Sequence, residues 1–344
     1  MTVAFPSPGN DLLSLPGEKD RIVFPSSFGT RFMLVVDTEE AFDWGAPFES
    51  GSQSISETLR EAMRAGQDFF ADAGVRPLYA CDYSVIDDPR AGAMLAGWAD
   101  AGQADIGAHL HPWSTPPYVE NVSIFNSFAG NLPHAVERAK LTALRDRIVE
   151  VCGRAPLAFR AGRYGIGPNT GVILRDLGFR IDSSVRSGFD YSGRHGPDFS
   201  HWPLAPYRTG PGRSLIELPL STAFSGGLRS LGGNLVSTLE RRRLAAGFLA
   251  RSGLLQRIPL TPEGVTSDEA IRAIDQLLED DLRLLMFSFH SPTLAPGNTP
   301  YVRDKAEVQA FFRWWEAVLD HLARRGVSSV GLDELLAACS VSGA

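Results

Sequence analysis

The chain has 344 residues, of which 44% are hydrophobic, 21% charged and 10% aromatic, a composition that excludes a disordered chain and supports a large folded core. Its formal net charge of -7 disfavours nucleic acid and anionic membrane surfaces as partners, and favours a neutral or cationic small molecule or a glycan. No run approaches the ~20 apolar residues of a membrane helix, no leader pattern opens the chain and its three cysteines are widely spaced, so we expect a cytoplasmic protein with no transmembrane segment.

The first 30 residues are rich in proline, serine and glycine and predict an irregular N-terminal segment. Over residues 31–340, apolar runs of strand length alternate with amphipathic helical stretches, which is typical of repeated βα units around a parallel sheet. This pattern predicts one α/β domain with the architecture of a distorted (β/α)7-8 barrel. The predicted strands lie at 32–37, 76–82, 104–111, 157–162, 179–184, 215–221, 283–290 and 327–332.

The region 186–266 interrupts this rhythm and is predicted to be a long loop and helical insertion. Its first part, 186–214, is rich in turn residues, and residues 231–255 have the pattern of extra helices. Insertions of this length are usually functional or disordered. The sequence leaves open whether the extra helices form a lid, a dimer contact or a membrane-surface element.

Reactive side chains recur where the predicted strands end. The active sites of parallel barrels gather at the C-terminal ends of their strands, so this recurrence predicts a catalytic site at that end of the barrel. The residues concerned are Asp37, Asp82, His109, His111, Arg160, Asp182 and His290.

Two of these strand ends carry a pair of reactive side chains that lie two residues apart. Side chains two residues apart share one face of a strand, so Asp37 and Glu39 point to one side, and so do His109 and His111. Two imidazoles and one carboxylate, with room for water, form a recognised catalytic metal site. The spacing favours such a site over its structural alternatives, which are solvated acids at a strand end and histidines of the core.

These residues lie in motifs that resemble the polysaccharide deacetylase (NodB-homology) family, and most closely a WalW-like subgroup. The resemblance covers roughly residues 30–335 and rests on "VVDTEE", "HLHPW", "FRAGRYG", "FRIDSSV" and "FSFHSPTL". Members of the family fold as a distorted (β/α)7 barrel and remove acetyl groups from N-acetylated sugars with a divalent metal. The resemblance therefore implies a metal-dependent hydrolase that cleaves a carbon–nitrogen amide bond.

The resemblance also implies roles for the matched residues. Asp37 takes the place of the catalytic base, and His290 takes the place of the acid that protonates the leaving nitrogen. Arg160 would orient Asp37, and Asp182 would be the partner of His290. A backbone N–H near Tyr164 would help to hold the tetrahedral oxyanion.

The implied metal ligands are Glu39, His109 and His111, with Zn²⁺ as the expected ion. Both ligand motifs depart from the family's pattern. The acid is displaced by one position to Glu39, or by two to Glu40, and the histidines are separated by one residue instead of three. The choice between Glu39 and Glu40 therefore stays open at the level of the sequence.

The substrate is expected to be a small molecule or an oligosaccharide, contacted by Tyr164, Trp113 and Asp82. Packing of Trp113 and capping of a turn by Asp82 are the structural alternatives. Two other functions are open: a cyclic-amide or ureide hydrolase of the same barrel family, and a catalytically silent glycan-binding protein. An open groove lined by Trp113 and residues 186–214 would favour a sugar, and a small closed cavity would favour a cyclic amide.

Overall fold

The computed structural model describes residues 12–41, 55–226 and 256–341. Within these ranges the strands are β1 Arg31–Thr38, β2 Leu78–Cys81, β3 Asp105–Leu110, β4 Ala158–Ala161, β5 Ile181–Asp182, β6 Tyr207–Thr209, β7 Leu215–Glu217, β8 Thr222–Ser225, β9 Gln256–Pro259, β10 Leu284–His290 and β11 Ser328–Ser329. The helices are α1 Glu57–Asp72, α2 Tyr83–Asp87, α3 Pro89–Asp100, α4 His134–Cys152, α5 Thr170–Asp176, α6 Ser267–Glu279, α7 Lys305–Arg324 and α8 Leu332–Val341.

A nine-stranded sheet forms the centre of the molecule. Its order is β10-β1-β2-β3-β4-β5-β7-β6, and β11 pairs with the start of β1. Neighbouring strands are parallel, except that β6 runs antiparallel to β7. All eight predicted strands belong to this sheet, and β8 and β9 form a separate two-stranded antiparallel sheet within the insertion.

The sheet curls until its two ends approach each other. The Leu220 N–H donates to the Val185 carbonyl, 2.9 Å away, and the next N–H, of Ser221, donates to the Met286 carbonyl on β10 at 3.3 Å. The segment after β7 therefore bridges the two ends of the sheet. The predicted α/β fold, a distorted barrel of parallel strands surrounded by helices, is confirmed.

Alternation along β1 separates two apolar cores. Met33 and Val35 belong to the cluster inside the curled sheet, whereas Leu34 and Val36 belong to the cluster packed against the helices. Because side chains alternate along a strand, Asp37 continues the inner row and faces the barrel interior at the C-terminal end of β1.

The opposite end of the barrel is filled by apolar side chains. Phe24 and Phe28, from the N-terminal segment, stack with ring centroids 4.2 Å apart and join the inner cluster. Leu335 and Cys339 of α8 belong to the same cluster. Polar side chains are thus left to gather at the C-terminal ends of the strands.

The described parts of the insertion include the loop that follows β5 and the β8–β9 sheet. The loop that follows β5 folds back on itself, since the Gly188 N–H donates to the Phe199 carbonyl at 3.0 Å and the Tyr191 N–H donates to the Pro197 carbonyl at 2.9 Å. The extra helices predicted at 231–255 lie outside the described residues. No helix that the structure describes is long and apolar enough to cross a membrane.

Candidate active site

Asp37 is held by a buried arginine from β4. Arg160 Nη1 donates to Asp37 Oδ1 at 2.8 Å, and the other nitrogens of its guanidinium donate to the carbonyl oxygen and Oγ of Ser183 at 3.0 and 3.1 Å. Burial alone would raise the pKa of Asp37, but the charge of Arg160, together with His109 and His290, outweighs it and lowers that pKa. Asp37 is therefore an ionised carboxylate near neutral pH.

His290, at the end of β10, faces the same carboxylate. Its Nε2 lies 3.8 Å from Asp37 Oδ2, while its Nδ1 hydrogen-bonds Glu263 Oε2 at 2.8 Å and its backbone N–H donates to Glu263 Oε1 at 3.0 Å. Burial alone would lower the pKa of His290, but Glu263, with Glu39 and Asp37, raises it to about 10. The ring is therefore an imidazolium at neutral pH, with one N–H directed toward Asp37.

Glu39, His109 and His111 form a buried group beside this pair. Glu39 Oε2 lies 3.2 Å from His111 Nε2 and 3.7 Å from His109 Nε2. His109 Nδ1 lies 3.1 Å from the Arg160 carbonyl oxygen, which favours the tautomer that carries its proton on Nδ1 and turns the Nε2 lone pair toward Glu39. These three residues offer ligand atoms that all lie within 4.8 Å of one another.

The chemistry of this group fits a cation. Burial lowers the pKa of His109, and it lowers the pKa of His111 to about 4, so both rings are neutral, as metal ligands must be. Burial also raises the pKa of Glu39. Within the described parts of the chain, Glu39 Oε2 is a buried atom with no hydrogen-bond partner, and a buried carboxylate oxygen without a partner is costly unless a proton or a cation satisfies it. Glu39, His109 and His111 can therefore hold a divalent metal ion.

Glu40 faces the other side of His111. It belongs to a second buried group with Asp82 and His111, in which Asp82 Oδ2 lies 3.6 Å from His111 Nδ1. Burial and the neighbouring Asp82 raise the pKa of Glu40 to about 9, and burial raises the pKa of Asp82 to about 6. The two acids that the sequence could not separate thus lie on opposite edges of one histidine ring.

Asp82 and Trp113 were both predicted to contact substrate, and the structure places both behind His111. Asp82 Oδ1 accepts the Val85 N–H at 2.9 Å and so caps α2. Trp113 is 4% exposed and stacks on His111 with ring centroids 4.3 Å apart. Gly162 completes this packing, since a Cβ at that position would lie 2.2 Å from His111 Cδ2. The observed contacts are therefore those of the structural alternatives: Trp113 packs on His111, and Asp82 caps a helix.

Lys140, on α4, fixes the loop that follows His111. Its Nζ donates to the carbonyl oxygens of Pro112, Thr115 and Pro117 at 2.8, 2.7 and 2.8 Å, and it lies 2.9 Å from Glu120 Oε1. A buried ammonium with several acceptors holds backbone carbonyls in place. The loop behind the histidines is therefore held by the neighbouring helix.

The predicted pairing of Asp182 with His290 is not observed. Ile181 belongs to the barrel interior, so the pleat of β5 turns Asp182 to the other face, where it accepts a hydrogen bond from Ser184 Oγ and lies opposite Glu217 in the register. Burial raises the pKa of Asp182 to about 6, and burial with the neighbouring Asp182 raises the pKa of Glu217 well above its usual value. Glu263 takes the position at His290 that the sequence assigned to Asp182.

Asp37, His290 and the group of Glu39, His109 and His111 line one cavity of about 400 Å³. Tyr164, a predicted substrate contact, lines the cavity, and it follows Arg163 in a strained turn where both residues have left-handed φ angles of +60° and +57°. The described residues that line the cavity are Asp37, Glu39, His109, His111, Phe128, Ala161, Arg163, Tyr164, Arg186, Tyr191, Arg194, His290, Thr299, Pro300 and Tyr301.

Sequence reasoning missed Glu263 and three cavity arginines, Arg163, Arg186 and Arg194. Glu263 lies in the turn between β9 and α6, where no strand alternation indicates a direction for its side chain. Arg163 and Arg186 each come shortly after a predicted strand, in "FRAGRYG" and "FRIDSSVRSG". Their position after strands that end in reactive residues is the signal that could have identified them.

The whole fold is similar to solved structures at low sequence identity. PuuE allantoinase aligns over 99% of this chain and 99% of its own, with 15% identity and a TM-score of 0.52. A protein of Mycobacterium smegmatis assigned as a polysaccharide deacetylase aligns over 96% and 95%, with 16% identity and a TM-score of 0.49. The Bc1960 peptidoglycan N-acetylglucosamine deacetylase aligns over 92% of each chain, with 11% identity and a TM-score of 0.45.

No protein-family model matches the sequence, and no curated protein matches it either. The similarity to PuuE allantoinase shows that the two chains share a fold. Conclusions about chemistry therefore come from the site itself.

Proposed function

We propose that the protein is a hydrolase of carbon–nitrogen amide bonds, and that it removes the acetyl group of an N-acetylated sugar or glycan precursor, as the resemblance to the WalW-like polysaccharide deacetylases implies. One observation carries the proposal. A single cavity holds an ionised carboxylate, Asp37, 3.8 Å from a protonated imidazole, His290, beside the buried Glu39 and its two histidines. Amide hydrolysis needs both a base and an acid at one reacting centre.

The two groups divide the proton transfers between them. Asp37, ionised next to Arg160, takes a proton from the attacking water. His290, protonated next to Glu263, donates its Nε2 proton to the amide nitrogen, which would otherwise leave as a poor anion. Arg160 keeps the base charged and fixes one of its oxygens at 2.8 Å. A backbone N–H near Tyr164 is the proposed donor to the tetrahedral oxyanion.

Glu39, His109 and His111 would hold the divalent metal, for which Zn²⁺ suits a set of two imidazoles and one carboxylate. Such an ion supplies Lewis-acid polarisation and lowers the pKa of water. The Arg160 carbonyl fixes the tautomer of His109, and Trp113 fixes the plane of His111. The protein therefore orients both imidazoles through groups outside the proposed ligand set.

A cyclic-amide or ureide hydrolase is the second candidate, and the position of Trp113 favours it. That side chain is buried behind His111, and among the described residues no tryptophan lines the cavity as a wall for a glycan chain. A cavity of about 400 Å³ accommodates a small molecule or a single sugar ring. A silent glycan-binding protein is disfavoured, since binding alone has no use for an acid and a base held in opposite charge states.

The test is hydrolysis by the purified, Zn²⁺-supplemented protein. Acetate release from N-acetylglucosamine and its oligomers, and ring opening of hydantoin-type cyclic amides, would be measured for the wild type and for Asp37→Asn and His290→Asn. We expect each substitution to lower kcat by ~10²-fold or more, while Arg145→Gln, a partly exposed position on α4 outside the cavity lining, leaves it unchanged. An inactive wild type, or full activity in Asp37→Asn, would refute the proposal.

A further inference from the structure

Three arginines line the same cavity as the proposed acid and base: Arg163, Arg186 and Arg194. The protein as a whole is acidic, with a formal net charge of -7. A local concentration of positive charge in an acidic protein needs a specific reason, because partly buried guanidinium groups such as those of Arg163 and Arg186 are costly to desolvate. An anionic ligand would supply that reason.

Arg186 packs against aromatic side chains, which hold its guanidinium in place but do not neutralise its charge. Its guanidinium carbon lies 4.0 Å from the Phe189 ring centroid and 5.4 Å from that of Tyr164, and its Nη1 donates to the Tyr191 hydroxyl at 3.3 Å. Both rings lie within cation–π distance of this guanidinium, which helps to fix its position. Such a side chain is held rigidly with donors that suit a carboxylate or a phosphate.

Glu263 is the carboxylate that acts electrostatically on Arg186, and it already hydrogen-bonds other groups. Burial alone would lower the pKa of Arg186, but Tyr164, Tyr191 and, less strongly, Glu263 raise it. The Glu263 carboxylate also accepts hydrogen bonds from His290 and from Thr293 Oγ1. Its charge is therefore shared with the imidazolium, and it offsets the guanidinium incompletely.

Arg163 and Arg194 bring two more like charges together. Arg163 donates to Ser127 Oγ and lies over the Phe128 ring, with 4.3 Å between the guanidinium carbon and the ring centroid. Burial and the charge of Arg194 lower the pKa of Arg163, which means that the two guanidiniums repel each other. Arg194 itself is exposed at the cavity rim.

The acids of the lining do not cancel this positive charge. Asp37 is neutralised by buried Arg160, which lies 2.8 Å away, and Glu39 faces two histidines. The cavity therefore stays cationic around the reacting groups, and a bound divalent ion would increase that charge.

We propose that the substrate carries an anionic oxygen group, a carboxylate or a phosphate, beside the amide that is cleaved, and that Arg186 and Arg194 bind this group. The inference rests on the proposed amide hydrolysis for the identity of the reacting bond. It departs from the neutral or cationic substrate favoured by the net charge, because net charge averages over the whole surface whereas a substrate meets the local potential of its cavity.

Equilibrium binding to matched ligands tests this inference separately from catalysis. One series is N-acetylglucosamine, its 6-phosphate and N-acetylmuramic acid, and a second pair is hydantoin and hydantoin-5-acetic acid. By calorimetry at fixed low salt, we expect an anionic member of at least one series to bind about tenfold or more tightly than its neutral parent. The preferred anion distinguishes a phosphate from a carboxylate.

Arg186→Gln and Arg194→Gln should each reduce that preference severalfold, whereas the matched variant Arg145→Gln, outside the cavity lining, should retain it. Equal binding of neutral and anionic ligands, no binding of any anion, or a preference unchanged in both variants would overturn the inference. Hydrolysis of a neutral amide with no preference for anions would leave the proposed function intact. Anion-selective binding without hydrolysis would refute the proposed function and leave the inference supported.

Discussion

Glu263 holds His290 through both of its carboxylate oxygens: Oε2 hydrogen-bonds the ring Nδ1 at 2.8 Å, and Oε1 accepts the backbone N–H at 3.0 Å. The carboxylate thus fixes the orientation of the ring and compensates its positive charge. The opposite nitrogen, Nε2, is left facing Asp37 at 3.8 Å. The protonation state of the proposed acid therefore depends on a residue from the insertion.

We expect Glu263→Gln to lower the pKa of His290 from about 10 by one unit or more, because an amide carbonyl can accept the Nδ1–H but supplies no negative charge. The alkaline limb of kcat/KM, where the acid loses its proton, should move to lower pH by the same amount. NMR titration of the His290 ring gives the pKa directly, with exposed His134 as an internal reference. Thr293→Val removes one donor to Glu263 but keeps its charge, so a downward shift equal to that of Glu263→Gln would contradict this account.

Strand alternation was sufficient to predict the centre of the site. Asp37 with Glu39, and His109 with His111, are pairs whose shared direction follows from the two-residue repeat of a strand, and the structure brings all four into one cavity. The same repeat explains why Asp182 does not face His290, since Ile181 occupies the inward position on β5. A motif match alone could not show which residue of that short strand points inward.

The groups that surround this centre could not be predicted in the same way. Glu263 and Arg194 lie in irregular segments whose positions depend on how the insertion packs over the barrel, and no periodic pattern encodes that packing. Trp113 shows the converse problem. Its proximity in sequence to His111 suggested a pocket wall, but the turn after β3 directs the indole onto the back of the imidazole.

Metal content should show which of the two acidic groups that share His111 binds the ion. We expect the wild type, loaded with Zn²⁺ and dialysed, to retain roughly one equivalent, and Glu39→Gln and His111→Ala to lose it. Asp82→Asn should retain the ion, because Asp82 belongs to the group on the far side of the ring. Elemental analysis measures this, with His134→Ala as the control. Metal retained in Glu39→Gln but lost in Asp82→Asn would move the site to Glu40, Asp82 and His111.

Lys140→Met should destabilise the protein by about 3 kcal/mol or more, since it leaves three carbonyl oxygens and the Glu120 carboxylate without their buried donor. The loop they belong to follows His111 directly, so metal affinity should fall as well. Urea denaturation with and without Zn²⁺ measures both effects. Lys305→Met, an exposed residue at the start of α7, is the matched control. Equal stability of the two variants would show that Lys140 does not hold the loop.

Glu137 should make the stability of the fold depend on pH near neutrality. Its buried carboxyl accepts a hydrogen bond from Thr170 Oγ1, between α4 and α5, and burial raises its pKa from 4.5 to about 7. The neutral acid is favoured in the folded state, so its contribution to stability is fully present below pH ~4.5 and is lost as the pH rises through about 7.

Glu137→Gln keeps an acceptor for Thr170 but carries no charge at any pH. We therefore expect the variant to be more stable than the wild type above pH 7, by about 3 kcal/mol at most, and to match it near pH 4.5, where the wild-type carboxyl is protonated in the folded state. Thermal unfolding measured from pH 4.5 to 8.5 gives this difference at each pH, and Glu150→Gln, an exposed position on the same helix, corrects for the change in net charge. A difference that stays constant across this range would show that Glu137 does not titrate in the folded protein.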